Sequence, residues 1–204
     1  MKRFWRDNGL STVLLAFFVV FWAAQFLTGW HVHNGELKDA GQHTLSALDY
    51  LLSSHFWAAT AENWESEFLQ MAAYVVLTIH LRQRGSAESN PYTDDPDADP
   101  PETGGSFWRR NGLSLTLTTL FVSAMALHLV GSWRSHNAER LSHGEATQSL
   151  ATFIGQPDFW FESFQNWQSE FLAVVTLVVL TIKLRQVGSS QSKQLSDPDS
   201  KTGS

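Results

Sequence analysis

Two long runs of this chain contain no charge at all. Residues 8 to 35 and residues 111 to 133 hold no Asp, Glu, Lys or Arg. Uninterrupted apolar stretches of about 18 residues or more are membrane-helix candidates. The pattern therefore predicts one helix from about residue 8 to residue 30 and another from about 111 to 133. Two shorter apolar runs follow them. Residues 68 to 81 lie between Glu67 and Arg82, and residues 171 to 182 lie between Glu170 and Lys183. Alone, such lengths suggest a buried or re-entrant helix. Counting from Trp64 to Arg82, however, a helix would cover roughly 27 Å, near the hydrocarbon thickness. Four spans are expected, two of them short, with Glu67 and Glu170 about one turn inside an interfacial tryptophan.

The polar positions repeat as faithfully as the apolar ones. Phe4-Trp5-Arg6 and Asn8-Gly9-Leu10-Ser11 return as Phe107-Trp108-Arg109 and Asn111-Gly112-Leu113-Ser114. Asn63-Trp64 with Ser66-Glu67-Phe68-Leu69 returns as Asn166-Trp167 with Ser169-Glu170-Phe171-Leu172. Each pair is offset by 103, with no gap. Such an offset reads as an internal duplication. The repeat also decides a question at the N-terminus. Met1-Lys2-Arg3 before an apolar run resembles a cleaved leader, but the copy lies in mid-chain, where no leader can sit. Both runs are read as permanent spans.

The tryptophans and the basic residues orient the spans. Trp5 and Trp108, Trp30 and Trp133, Trp57 and Trp160, Trp64 and Trp167 are repeat pairs near predicted helix ends, where an indole prefers the headgroup level. Eleven Lys and Arg fall on one side, and only Lys38, Arg134 and Arg140 on the other. By the positive-inside rule both termini and the central linker face the cytoplasm. The expected fold is an all-α membrane protein of four transmembrane helices. They form two tandem hairpins, parallel repeats about an axis along the membrane normal. Residues 1 to 84 form the first hairpin and 107 to 187 the second. Residues 85 to 106 and 188 to 204, polar and rich in Gly, Ser, Asp and Pro, read as a disordered linker and tail. In the outer loops, Leu45, Leu48, Leu51 and Leu52 share a helical face, and Leu150, Phe153 and Ile154 do so in the copy. Ser46 and Asp49 have capping-box spacing. Short amphipathic helices on the outer surface, or packed loop helices, are expected there.

Composition changes this picture little. A mean hydropathy of -0.16 looks soluble, because polar segments dilute the apolar runs. Cysteine is absent, which excludes disulfides and thiolate chemistry. The net charge of -6 is concentrated in Asp94, Asp95, Asp97, Asp99 and Glu102, and the basic residues flank helices instead of forming a nucleic-acid patch. No nucleic-acid partner is expected. The lipid bilayer is the expected partner, and a homo-oligomer is compatible with paired hairpins.

Candidate chemistry is sparse. Asn63 and Glu67 share a helical face that continues through Gln70, Tyr74 and Thr78. Ionisable groups at membrane depth often mark an ion or substrate path. They also serve as glue between spans. The copy keeps Asn166 and Glu170 but has Ala173 and Leu177 for Gln70 and Tyr74, which favours glue. On the outer side, His33 precedes Glu36 and His136 precedes Glu139 by three residues, with His31, His43, His55 and His143 nearby. A Zn²⁺ or Cu²⁺ site of imidazole and carboxylate is conceivable, as is titration near pH 6.5. No metal-site signature matches, however, and ordinary interfacial polar residues are expected. His128 aligns with Gln25 and is expected to hydrogen-bond between spans. With no catalytic constellation, no cofactor and no metal is expected, and the chain reads as non-enzymatic; a small transporter or channel is the alternative.

The motifs Asn8-Gly9-Leu10-Ser11, Asn63-Trp64-Glu65-Ser66-Glu67-Phe68-Leu69 and Leu81-Arg82-Gln83-Arg84-Gly85-Ser86-Ala87-Glu88-Ser89, with their copies, resemble a family of bacterial integral membrane proteins defined as a domain of unknown function. The resemblance implies a multi-pass protein of the bacterial inner membrane. It implies no activity, substrate, cofactor or site.

Overall fold

The computed structural model describes residues 2–93 and 104–203, and within them every regular element is helical. Helix α1 spans Lys2–Asp39, α2 Ala47–Leu51 and α3 Ser54–His80. After the linker come α4 Phe107–Ser142, α5 Leu150–Phe153 and α6 Pro157–Leu180.

The long helices outrun the apolar runs that announce them. No proline interrupts residues 31 to 39 or 134 to 142, and α1 and α4 continue into polar sequence. Each stops where the chain turns left-handed, at Gly41 (φ 69°) and Gly144 (φ 75°). There the Gln42 amide donates to the Leu37 carbonyl and the Glu145 amide to that of Arg140, the bonds of a Schellman stop. Helix α3 begins earlier than its apolar run. Ser53 caps it, its hydroxyl accepting from the Phe56 amide at 3.2 Å. Pro157 opens α6, at a position where its missing donor costs nothing.

Two helices are long and apolar enough to cross a membrane, α1 over Arg3–Asp39 and α4 over Phe107–Ser142. Helices α3 and α6 fall short of that measure, because Glu62, Glu65 and Glu67 interrupt one and Asp158, Glu162 and Glu170 the other. None of the apolar window of α1 is buried, against 17% of that of α4. Helix α4 packs on α3, while α1 lies on the rim.

Helix α3 is the hub. It packs most closely on α4 and next on α6. The α3–α4 approach is set by Gly131, where a Cβ would stand 3.0 Å from the backbone of Ala58. Along α4 the buried positions Leu117, Ala124, His128 and Gly131 form one stripe. Helix α1 meets α3 through large rings: Trp22 lies 5.9 Å from Phe56 and 6.3 Å from Trp64 between centroids.

The loop helices are anchored by single aromatics. Tyr50 and Phe153 are buried and Leu45 and Leu51 half-buried, whereas Leu48, Leu52, Leu150 and Ile154 remain exposed. Ser46 caps α2, the Asp49 amide donating to its hydroxyl at 3.2 Å and the hydroxyl donating to the Asp49 carboxylate at 2.6 Å. Four of the tryptophans expected at the headgroup level clasp these loops. Trp30 donates to the Leu45 carbonyl and Trp133 to that of Gln148, both at 2.8 Å. Trp57 and Trp160 donate to Leu51 and Ile154 in the same way.

The polar segment after α6 is folded, contrary to the disorder its composition suggests. Residues 188–203 form turns against residues 85–91. The Lys193 ammonium donates to the carbonyls of Gly85, Asp199 and Lys201. The Gly85 amide donates to Thr202 Oγ1 at 3.0 Å, and the Gly203 amide donates to the Ser86 carbonyl at 2.9 Å. Carbonyls and hydroxyls satisfy a segment with little apolar surface to bury. Of the linker, residues 85–91 take part in this packing; the acidic cluster at 94–103 lies outside the described residues.

Candidate functional site

The polar centre of the bundle is built from three helices. On α3, Ala58, Glu62 and Glu65 recur at helical spacing and face α4 and α6. The Glu65 side chain is completely buried, and so is that of His128 on α4. His128 Nδ1 lies 3.0 Å from Glu65 Oε2. From α6, the Trp167 indole donates to the other oxygen, Glu65 Oε1, at 3.2 Å. One carboxylate thus holds three helices in register, with both its oxygens engaged. A buried carboxylate left without partners would cost several kcal/mol.

The other face of the His128 ring meets two more carboxylates. Glu162 Oε2 on α6 lies 3.7 Å from His128 Nε2, too far for a hydrogen bond, and Nε2 has no hydrogen-bond partner among the described residues. Ligand atoms of Glu62, His128 and Glu162 all lie within 4.8 Å of one another. Glu62 is oriented by Asn166, whose side-chain amide donates to Oε1 at 2.5 Å. The Ser163 hydroxyl, beside Glu162 in the chain, is buried and unpartnered among the described residues.

Glu62 and Glu162 open onto a cavity of about 790 Å³ between the loop-side ends of the two halves. Its walls carry His33, Glu36, His136 and Glu139, the four outer residues singled out from the sequence, together with His55 and His143. His33 and His55 stack at 4.3 Å, and His33 Nδ1 lies 3.5 Å from Glu36 Oε2. His55 Nδ1 also meets the Tyr50 hydroxyl at 3.3 Å. Burial, and then the neighbouring His33, hold the His55 imidazole below its ordinary 6.5, against the pull of Glu36. His136 packs on Phe153 at 5.3 Å.

The stripe from Asn63 does not enter this centre. Asn63 and Glu67 are exposed, and the Asn63 side chain bonds back to the Ala59 carbonyl. Gln70 is half-buried. The Tyr74 hydroxyl donates to the Glu88 carbonyl at 2.8 Å, fastening the segment after α3. Glu67 and Glu170 come close enough to interact electrostatically. Of the stripe and its copy, only Asn166 reaches the centre.

The residues that sequence reasoning passed over are Glu62, Glu65 and Glu162. Matching the halves directs attention to what they share, whereas these sites are what they do not. Glu62, Glu65 and His128 stand opposite Gln165, Gln168 and Gln25 at the 103 offset, and Glu162 opposite Ala59. The usable signal was helical spacing: Ala58, Glu62 and Glu65 line one face, with His128 three residues before Gly131.

Fold and site together define an all-helical protein with two helices able to cross a membrane and a buried carboxylate–imidazole centre. Over residues 1–204 the chain matches the family described as Domain of unknown function (DUF6766), and it belongs to that family. No curated protein and no solved structure matches it.

Proposed function

We propose that the chain is a multi-pass protein of the bacterial inner membrane, non-enzymatic, acting through assembly or interaction within the bilayer. In this reading α1, α4 and the segments of α3 and α6 from Trp64 and Trp167 onward are four spans. They form two tandem hairpins with both termini cytoplasmic. The observation that carries it is the Glu65 centre: its polar groups are spent on joining helices, as intramembrane polar residues commonly are. The bare apolar surface of α1 supports a lipid-facing rim. The recurrence of loop clasps at Trp30 and Trp133, and of ring pairs Phe18–Trp64 at 6.3 Å and Phe121–Trp167 at 6.2 Å, supports two equivalent hairpins.

Two measurements test this. A reporter active only in the cytoplasm, fused after Ser204, should be active, and one inserted at Gly41 should be silent; the reverse pattern rules the topology out. Glu65→Ala should leave the purified protein aggregated or loosened in detergent, with unfolding shifted by about 3–5 kcal/mol, the cost of breaking a buried charge pair.

A second reading, a small transporter or channel, is favoured by the mutual approach of Glu67 and Glu170. Reconstituted vesicles that pass protons or common cations, and lose that flux in the Glu67→Gln, Glu170→Gln double variant, would establish it over the first.

A further inference from the structure

We propose that Glu62, His128 and Glu162 bind a divalent first-row transition metal ion at the floor of the outer cavity. The inference does not depend on how the helices sit in a membrane. It starts from the state of the His128 ring. With Nδ1 donating to Glu65, Nε2 of His128 faces Glu162 and Glu62. That nitrogen is fully buried and has no hydrogen-bond partner among the described residues. Two carboxylates facing that buried nitrogen call for positive charge between them, either a proton on Nε2 or a metal ion. Two carboxylates and one imidazole form a donor set that suits Zn²⁺, Mn²⁺ or Fe²⁺ and leaves positions open for water.

The surroundings are those of a metal site. Glu65 accepts from the far nitrogen of the histidine, the carboxylate–histidine arrangement that fixes tautomer and ring orientation and raises ligand basicity. Trp167 fixes Glu65 in turn, and Asn166 fixes Glu62. The ligand atoms, within 4.8 Å of one another, need to close to about 3.3 Å for a tetrahedral ion with bonds of about 2.0 Å. Glu162 can supply most of that movement, because its side chain is half exposed and makes no hydrogen bond among the described residues. The cavity provides entry from the loop side.

Calorimetry of the full chain in detergent, with Zn²⁺ and Mn²⁺ as separate titrants, tests the proposal, and Co²⁺ serves as an optical probe. One ion per chain should bind, and Co²⁺ should develop visible d–d bands. Glu162→Gln, which leaves the helix-joining bonds intact, should weaken binding at least tenfold while circular dichroism and elution volume stay unchanged. His128→Asn should abolish the Co²⁺ bands. Glu65→Gln, acting as a positioning change, should weaken affinity by about 10–100-fold and alter its dependence on pH. Absence of binding heat with both ions overturns the inference. So does wild-type affinity in a folded Glu162→Gln protein, and so does binding lost in His55→Ala but kept in Glu162→Gln, which would move the ion to the His33–Glu36–His55 cluster. A His128 imidazolium that persists at saturating Zn²⁺, read by nitrogen NMR, would show a proton where the metal is proposed.

Discussion

Single residues in this protein act through what stands on both sides of them. His128 is the clearest case: one ring nitrogen joins helices, and the other faces a cavity floor. His55 is another, stacked on His33 and touching the Tyr50 hydroxyl. Its imidazole titrates below 6.5 because burial and His33 disfavour the charged form. A group whose folded-state value is depressed contributes fully above the unfolded value, and the contribution is lost as pH falls through the folded value. Packing of residues 47–56 should therefore be complete above pH 6.5 and weaken progressively below it. Hydrogen exchange corrected for intrinsic rates should show protection of these amides falling with acidification, and His55→Gln should flatten the profile. Protection that does not change with pH would contradict the assignment.

At the scale of elements, the same clasps secure the two loops. The Asn34 side chain donates to the Leu45 carbonyl at 2.9 Å and accepts from its amide at 2.7 Å. Asn137 does the same to Gln148, at 3.0 and 2.7 Å. Each pair of bonds ties a long helix to the loop that follows it. Asn34→Ala should loosen residues 45–51 alone, and Asn137→Ala residues 148–154 alone, each by about 1–3 kcal/mol. Local exchange rates would show whether one loop opens without the other. The legibility of the elements follows from their physics. Charge-free runs reveal α1 and α4, since nothing else explains residues 8 to 35. Their ends are invisible to hydropathy, because a helix need not stop where its apolar run does. It stops at Gly41 and Gly144, where the backbone turns left-handed. Helix α2 was legible by its Ser46 cap, and Phe153 of the apolar face in the copy is buried, but Tyr50, which anchors α2, stood outside the leucine pattern. The fold of residues 188–203 was hidden because hydrogen bonds to a lysine leave no hydrophobic pattern.

For the whole molecule, the centre is divided between the halves of the chain. The first half brings Glu62 and Glu65; the second brings His128, Glu162, Asn166 and Trp167. The outer cavity was partly legible, as His33, Glu36, His136 and Glu139 all line it. The buried centre was not, because matching residue to counterpart hides whatever one half does alone. Neither half contains a complete set of donors, and neither could assemble one by pairing with itself: Gln25 and Ala59 stand at the positions of His128 and Glu162. Cutting the chain within residues 94–103 and coexpressing the pieces should return a folded complex that copurifies, while each piece expressed alone should aggregate. Pieces that fold and purify separately would contradict this. The division makes the centre a coincidence detector for the two halves, complete only when both are present and correctly seated. Any measurable property of that centre then reports assembly of the entire chain, without a label on either part.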